Sequence, residues 1–197
     1  MKTIKLIAEP RTGVGSSASK ATRNEGKVPC VLYGAGENVN FCVYAADFKN
    51  LVYTPNVYKV RIDLEGKSYD AILQDIQFHP VSDAIIHVDF FAVTADKPVV
   101  MEIPVRVVGN SPGVRAGGKL VKKINKLRVR GNIANLPDYI DVSISTLEIG
   151  QSAKVKDVVV EGFEILDAKE NAVLSVKTTR ALMQAGADAA AAASGKK

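Results

Sequence analysis

Tryptophan is absent, aromatic residues make up only 6% of the 197 residues, and the chain has just two cysteines, Cys30 and Cys42, and two histidines, His79 and His87. Each scarcity excludes something. With so few aromatics, a core must be built from Val, Ile, Leu and Ala. Two cysteines are too few for a disulfide scaffold and fit a reducing compartment. Their spacing from the histidines matches no zinc signature, so no metal is expected. No apolar run approaches the roughly 18 residues of a membrane span. Lys5, Glu9 and Arg11 interrupt the N-terminus where a signal peptide would be apolar. These features point to a cytoplasmic protein without a membrane partner.

The chemistry of catalysis is equally thin. His87 and Asp89 lie two apart on an apolar stretch and share one face of a strand, an arrangement that can serve a general base. No nucleophile is linked to them by sequence, and a structural or ligand-contacting histidine is the simpler role. Gly13-Val14-Gly15 and Gly117-Gly118-Lys119 complete neither a Walker nor a dinucleotide fingerprint. The expectation is no enzyme, no cofactor and no small-molecule substrate.

What is present is apolar mass, at 47%, and an uneven distribution of charge within a net +5. The length allows one or two domains. Residues 1–27 carry six cations against two carboxylates. Residues 103–137 carry eight cations (Arg106, Arg115, Lys119, Lys122, Lys123, Lys126, Arg128 and Arg130) and no acid, which leaves the rest of the chain acidic. Clustered cations of this kind attract polyanions even when the total charge is modest. Around residues 11–23, small residues let backbone amides approach a sugar-phosphate chain, while Arg11, Lys20 and Arg23 supply charge. Lys20 and Arg23 are three apart and so share a helical face.

Residues 3–8, 30–33, 40–44, 57–64, 68–77 and 85–91 read as strands. Short helices are expected within 18–24 and 47–52, and Glu65-Gly66-Lys67 supplies a hairpin turn. A boundary falls near Thr94-Ala95-Asp96-Lys97-Pro98. Beyond it, residues 99–108, 127–130, 140–144 and 155–160 suggest a second domain made only of strands, with a loop over 110–118. The Ala-rich segment 181–197 has no sizeable apolar face and reads as a disordered tail. The expected division is 1–94, 95–180 and 181–197.

Two segments carry a specific resemblance. The first contains Gly26-Lys27-Val28-Pro29-Cys30-Val31-Leu32-Tyr33-Gly34. The second contains Gln74-Asp75-Ile76-Gln77-Phe78-His79-Pro80, followed by His87-Val88-Asp89-Phe90-Phe91. In this order and spacing they resemble the bacterial ribosomal proteins that bind 5S rRNA, the general-stress-protein CTC family. Gly117-Gly118-Lys119-Leu120 and Leu136-Pro137-Asp138-Tyr139-Ile140 resemble the β domain of its longer members.

The resemblance implies a mainly β fold with short helices: an N-terminal six-stranded β-barrel followed by a second all-β domain. It implies a structural role in the large ribosomal subunit, with the barrel on the loop E region of 5S rRNA at the central protuberance. Neighbouring large-subunit rRNA and ribosomal proteins would be further partners. By position it implies RNA contacts at Arg11, Ser16, Ser17, Ser19, Lys20, Arg23, Tyr33, Gln77, His87 and Asp89. An RNA-binding stress or interaction factor outside the ribosome is the alternative. The chain departs from the family's Gly-Lys-Gly-Ala-Ser-Arg-Arg type of run, having Gly15-Ser16-Ser17-Ala18-Ser19-Lys20-Ala21 instead. Two basic positions become Ser16 and Ala21, which weakens the expected electrostatic share of binding.

Overall fold

A computed structural model describes residues 1–34, 36, 38–94, 97–160 and 162–179. The expected tail at 181–197 and part of the expected boundary, residues 95 and 96, lie outside the described residues. The fold is mainly β with short helices, and its N-terminal strands close into a six-stranded barrel.

In chain order the barrel is built from β1 (Lys2–Pro10), α1 (Ser16–Asn24), β2 (Lys27–Tyr33) and β3 (Val39–Tyr44). A 3-10 turn (Ala45–Phe48) leads into α2 (Lys49–Val52), then β4 (Tyr58–Leu64), β5 (Lys67–Phe78) and β6 (Ile85–Ala92). The strand order is β1-β3-β2-β6-β5-β4, closed by β4 against β1. Residues 58–64 show how the sequence selects this arrangement. Val60, Ile62 and Leu64 are buried while Lys59, Arg61 and Asp63 are half-buried on the outer side, the period-2 pattern of a strand with one face on a core. Glu65 and Gly66 both take positive φ, 47° and 82°. That is the two-residue hairpin geometry whose twist matches the flanking strands, and it sets Leu64 opposite Lys67.

The barrel interior is filled. Phe41, Phe48 and Phe90 are fully buried, the ring centroid of Phe90 lying 5.9 Å from that of Phe41 and 6.4 Å from that of Phe48. Leu6, Val28, Cys30, Leu32, Val60, Ile62 and Val88 surround them. Burial of each such side chain contributes on the order of 1.5–3 kcal/mol. Burial pushes the thiol pKa of Cys30 and of Cys42 upward. Both thiols are free and buried, behaving as small apolar residues.

The later strands are β7 (Val99–Val108), β8 (Lys119–Lys122), β9 (Lys126–Gly131), β10 (Ile140–Ser143), β11 (Ser152–Lys154), β12 (Phe163–Ile165) and β13 (Ala172–Lys177). They form a four-stranded sheet, β10-β7-β9-β12, and a three-stranded sheet, β11-β13-β8. The described residues form two compact units: those within 1–101 with 130–138, and those within 102–129 with 139–179.

Two expectations are corrected in this second half. Residues 155–160 are not a strand. Val155–Asp157 is a 3-10 turn, because the Asp157 carboxylate accepts the Lys154 amide at 2.9 Å and curls the backbone. The 110–118 loop contains a one-turn helix, α3 (Pro112–Arg115), with Pro112 at its first position. The Ser111 hydroxyl caps it by accepting the Val114 amide at 3.3 Å.

Candidate nucleic-acid interface

Three adjacent barrel strands bring the expected contacts together. β2 and β6 run parallel, with Val31 beside Asp89 and Tyr33 beside Phe91. β5 and β6 run antiparallel, with Asp75 opposite Asp89 and Gln77 opposite His87. Val88, Phe90 and Ala92 point into the core. Alternation therefore turns His87, Asp89 and Phe91 outward. Register breaks in β5 between Leu73 and Asp75, and again between Gln77 and Phe78. Such bulges re-aim side chains and are common beside functional sites. The result is one outer strip holding Tyr33, Asp75, Gln77, His87 and Asp89.

Within the strip, His87 Nδ1 lies 2.7 Å from Asp89 Oδ1, and both side chains are about 30% exposed, at 28% and 31%. In the neutral ring this contact places the proton on Nδ1 and leaves Nε2 free to accept. The Tyr33 ring meets Phe91 edge-on, centroids 5.7 Å apart and planes at 72°. Burial, then the nearby charges of Asp89 and Asp75, raise the Tyr33 pKa, so its hydroxyl stays protonated and donates. Gly34, at φ 101°, follows directly. A Cβ there would stand 2.8 Å from the Phe91 ring, so glycine lets the chain turn away without displacing the ring that supports Tyr33.

The helix α1 supplies the basic side. Arg23 Nε donates to the carbonyl of Ile86 at 3.1 Å, which anchors the helix next to His87. Lys20, Ser16 and Ser17 are exposed. Ser19 is half-buried: its hydroxyl donates to the Gly15 carbonyl at 2.8 Å and accepts from Arg11 Nη2 at 2.8 Å. Arg11 therefore braces the loop against the first turn of α1, and its Nε is buried without a partner.

All ten expected residues thus fall on the strip, on α1 or on the loop before it. Sequence reasoning missed Asp75 and Phe91. Asp75 was reachable from its two-residue spacing to Gln77. Phe91 required knowing that β2 and β6 are neighbours. His79, the other histidine, has a turn-forming role: its Nδ1 accepts the amides of Val81 at 3.3 Å and Ser82 at 3.2 Å. Among the described residues no group of three or more His, Cys, Asp or Glu side chains is arranged to hold a metal.

The class of fold is thus an apolar-filled barrel that carries a strip of polar side chains, with a basic helix beside it, on its outer surface. Comparison with known proteins makes this specific. Residues 6–90 match the Ribosomal L25p family model, and residues 98–180 match that of the ribosomal protein TL5 C-terminal domain. The large ribosomal subunit protein bL25 of Bacteroides thetaiotaomicron is 47% identical over 194 residues, covering 98% of this chain and 96% of its own length. The bL25 of Porphyromonas gingivalis is 46% identical over 183 residues, 92% of this chain and 95% of its own. That of Amoebophilus asiaticus is 47% identical over 189 residues, 96% of each. The chain belongs to the bL25 family in its long two-domain form. This is a family of structural ribosomal proteins and not of enzymes.

Proposed function

We propose that the chain is a structural constituent of the large ribosomal subunit, ribosome-bound and hence cytoplasmic, and that its barrel holds the loop E region of 5S rRNA at the central protuberance. The observation that carries this is the register placing Gln77, His87 and Asp89 on one outer face beside α1. RNA helices expose base edges and 2′-hydroxyls in a wide, shallow groove. A flat strip offering an imidazole nitrogen, a carboxylate, an amide and a phenol suits that groove. Lys20 and Arg23 then meet phosphates, which position the RNA without reading it.

Filter binding of 5S rRNA and of tRNA across salt concentrations tests this. Affinity for 5S rRNA is expected to exceed that for tRNA and to fall steeply with salt. Lys20→Ala is expected to weaken both RNAs by a similar factor and to flatten the log–log salt slope by about 0.7–0.9. Equal affinity for the two RNAs, or an affinity that salt does not change, contradicts the proposal.

The barrel is also proposed to work alone. All six of its strands and its core cluster lie between residues 2 and 92. Residues 97–101 and 130–138 belong to the same compact unit, so truncation after Thr94 is expected to lower stability but keep closure and 5S rRNA specificity. Circular dichroism and the same binding assay check this. An unfolded product refutes the 94/95 boundary, and a folded product without specificity puts the site elsewhere in the chain.

A further inference from the structure

The basic segment 103–137 looks uniform in sequence, but its cations fall into two sets in the fold. Arg106 makes a two-pronged pair with Asp141 at 2.7 and 2.8 Å. Arg128 pairs with Asp167 at 3.2 Å and Lys126 with Glu102 at 3.8 Å. Lys122 Nζ donates to the Val105 carbonyl at 2.5 Å. These four are satisfied internally. Among the described residues Arg115, Lys119, Lys123 and Arg130 have no acidic partner.

Lys119 stands out within the second set. The β8–β13 register puts it directly opposite Lys177, and both are exposed. Like charges facing each other across an antiparallel pair destabilise the sheet, and no carboxylate among the described residues relieves them. The backbone fixes this juxtaposition. The Gly118 amide donates to the Gly113 carbonyl at 2.9 Å, and the Thr179 hydroxyl donates to the Gly117 carbonyl at 3.0 Å. A Cβ on Gly118 would stand 2.7 Å from both the Gly113 oxygen and Val176 Cγ1. Gly117, at φ 94°, completes the turn. The Gly117-Gly118-Lys119 run is therefore not a nucleotide loop. It seats α3 against the end of β13 and brings Arg115 to the same end as the two lysines. Glu148, whose backbone lies 2.7 Å from where a Gly113 Cβ would stand, forms an ion pair with none of the three.

We propose that this end of the three-stranded sheet, Lys119 and Lys177 with Arg115 beside them, grips the phosphate backbone of large-subunit rRNA outside the stretch held by the barrel. Resting on the ribosomal role proposed above, the partner is RNA because a polyanion is what offsets two facing ammonium groups. The contact is to phosphate because compact lysine charges position a backbone without reading bases.

Large subunits lacking the protein are rebuilt with the full wild-type chain, K119Q/K177Q, K119R/K177R or the charge-neutral control R106Q/D141N. The rRNA backbone is then probed with hydroxyl radicals, and protein retention is followed across salt. The wild type, K119R/K177R and R106Q/D141N are expected to protect two regions, one of them in 5S rRNA. K119Q/K177Q keeps the 5S region and loses the other, and its log–log retention slope becomes shallower by about 1.5, the value for two lost phosphate contacts. Thermal melting of K119Q/K177Q at or above the wild-type temperature establishes that it folds, as removal of a repulsion should allow. Protections identical to wild type in K119Q/K177Q overturn the proposal, as does equal loss in R106Q/D141N. Protection lost from a ribosomal protein surface while the rRNA pattern is unchanged overturns it in favour of an acidic protein partner. Absence of any 5S protection by the wild type refutes the barrel's role instead and leaves the second region to be judged on its own.

Discussion

Phe90→Ala is expected to destabilise the barrel by about 3–5 kcal/mol, the range for removing a buried aromatic side chain that leaves a cavity. Phe90 has no exposed surface and stands between Phe41 and Phe48. Phe41 and Phe48 are themselves fully buried, so neither is free to fill the space. A domain is typically stable by about 5–15 kcal/mol, so this one change removes a large fraction. Phe90 also lies next to Asp89 on β6, so the loss is expected to loosen the binding strip. Urea unfolding of the wild type, F90A and F90L checks this, with F90L falling between the others. A shift under about 1 kcal/mol for F90A would mean that the aromatic trio is not the centre of the core.

The second large effect concerns recognition. Asp89→Ala and His87→Ala are each expected to weaken binding to cognate 5S rRNA by about 1–3 kcal/mol, roughly 5- to 150-fold, the scale of a lost base-edge or ribose contact. Binding to unrelated duplex RNA should change far less. Asp89→Ala acts twice: it removes an acceptor and frees the His87 ring from the 2.7 Å contact that orients it. Removing both should therefore cost less than the sum of the single losses, since the two act as one unit. If the pair only pinned β6 in place, both variants would melt earlier while the cognate-to-unrelated affinity ratio stayed constant. Melting temperature and affinity ratio measured on the same samples distinguish these outcomes.

The barrel was legible because its strands are half-buried and alternate. The two-residue spacing of His87 and Asp89 was enough to put them on one face. Gln77 and Tyr33 were assigned by resemblance; no local pattern reveals that β2 flanks β6, a long-range parallel pairing, or that two register breaks shift β5 against β6. The second half was harder for identifiable reasons. β13 is buried on both faces from Val173 to Val176, so its sequence does not alternate. β8, β11 and β12 are three or four residues long, too short for a periodic signal. Residues 155–160 carry β-branched valines that favour a strand, yet one hydrogen bond from Lys154 to Asp157 outweighs that preference. The basic segment was legible as a cluster of cations but not in its pairing. The acids that neutralise Arg106 and Arg128 are 35 and 39 residues away in sequence, and only the folded chain shows which cations are left over.

We propose that the strip formed by β2, β5 and β6, with α1 beside it, holds the loop E region of 5S rRNA. Chemical footprinting of isolated 5S rRNA with and without the full chain tests it most directly. Protection is expected to be confined to loop E and its flanking helix, present with wild type, retained with K119Q/K177Q and lost with the His87→Ala/Asp89→Ala double variant. Protection elsewhere in 5S rRNA, or loop E protection that survives removal of both side chains, would contradict it.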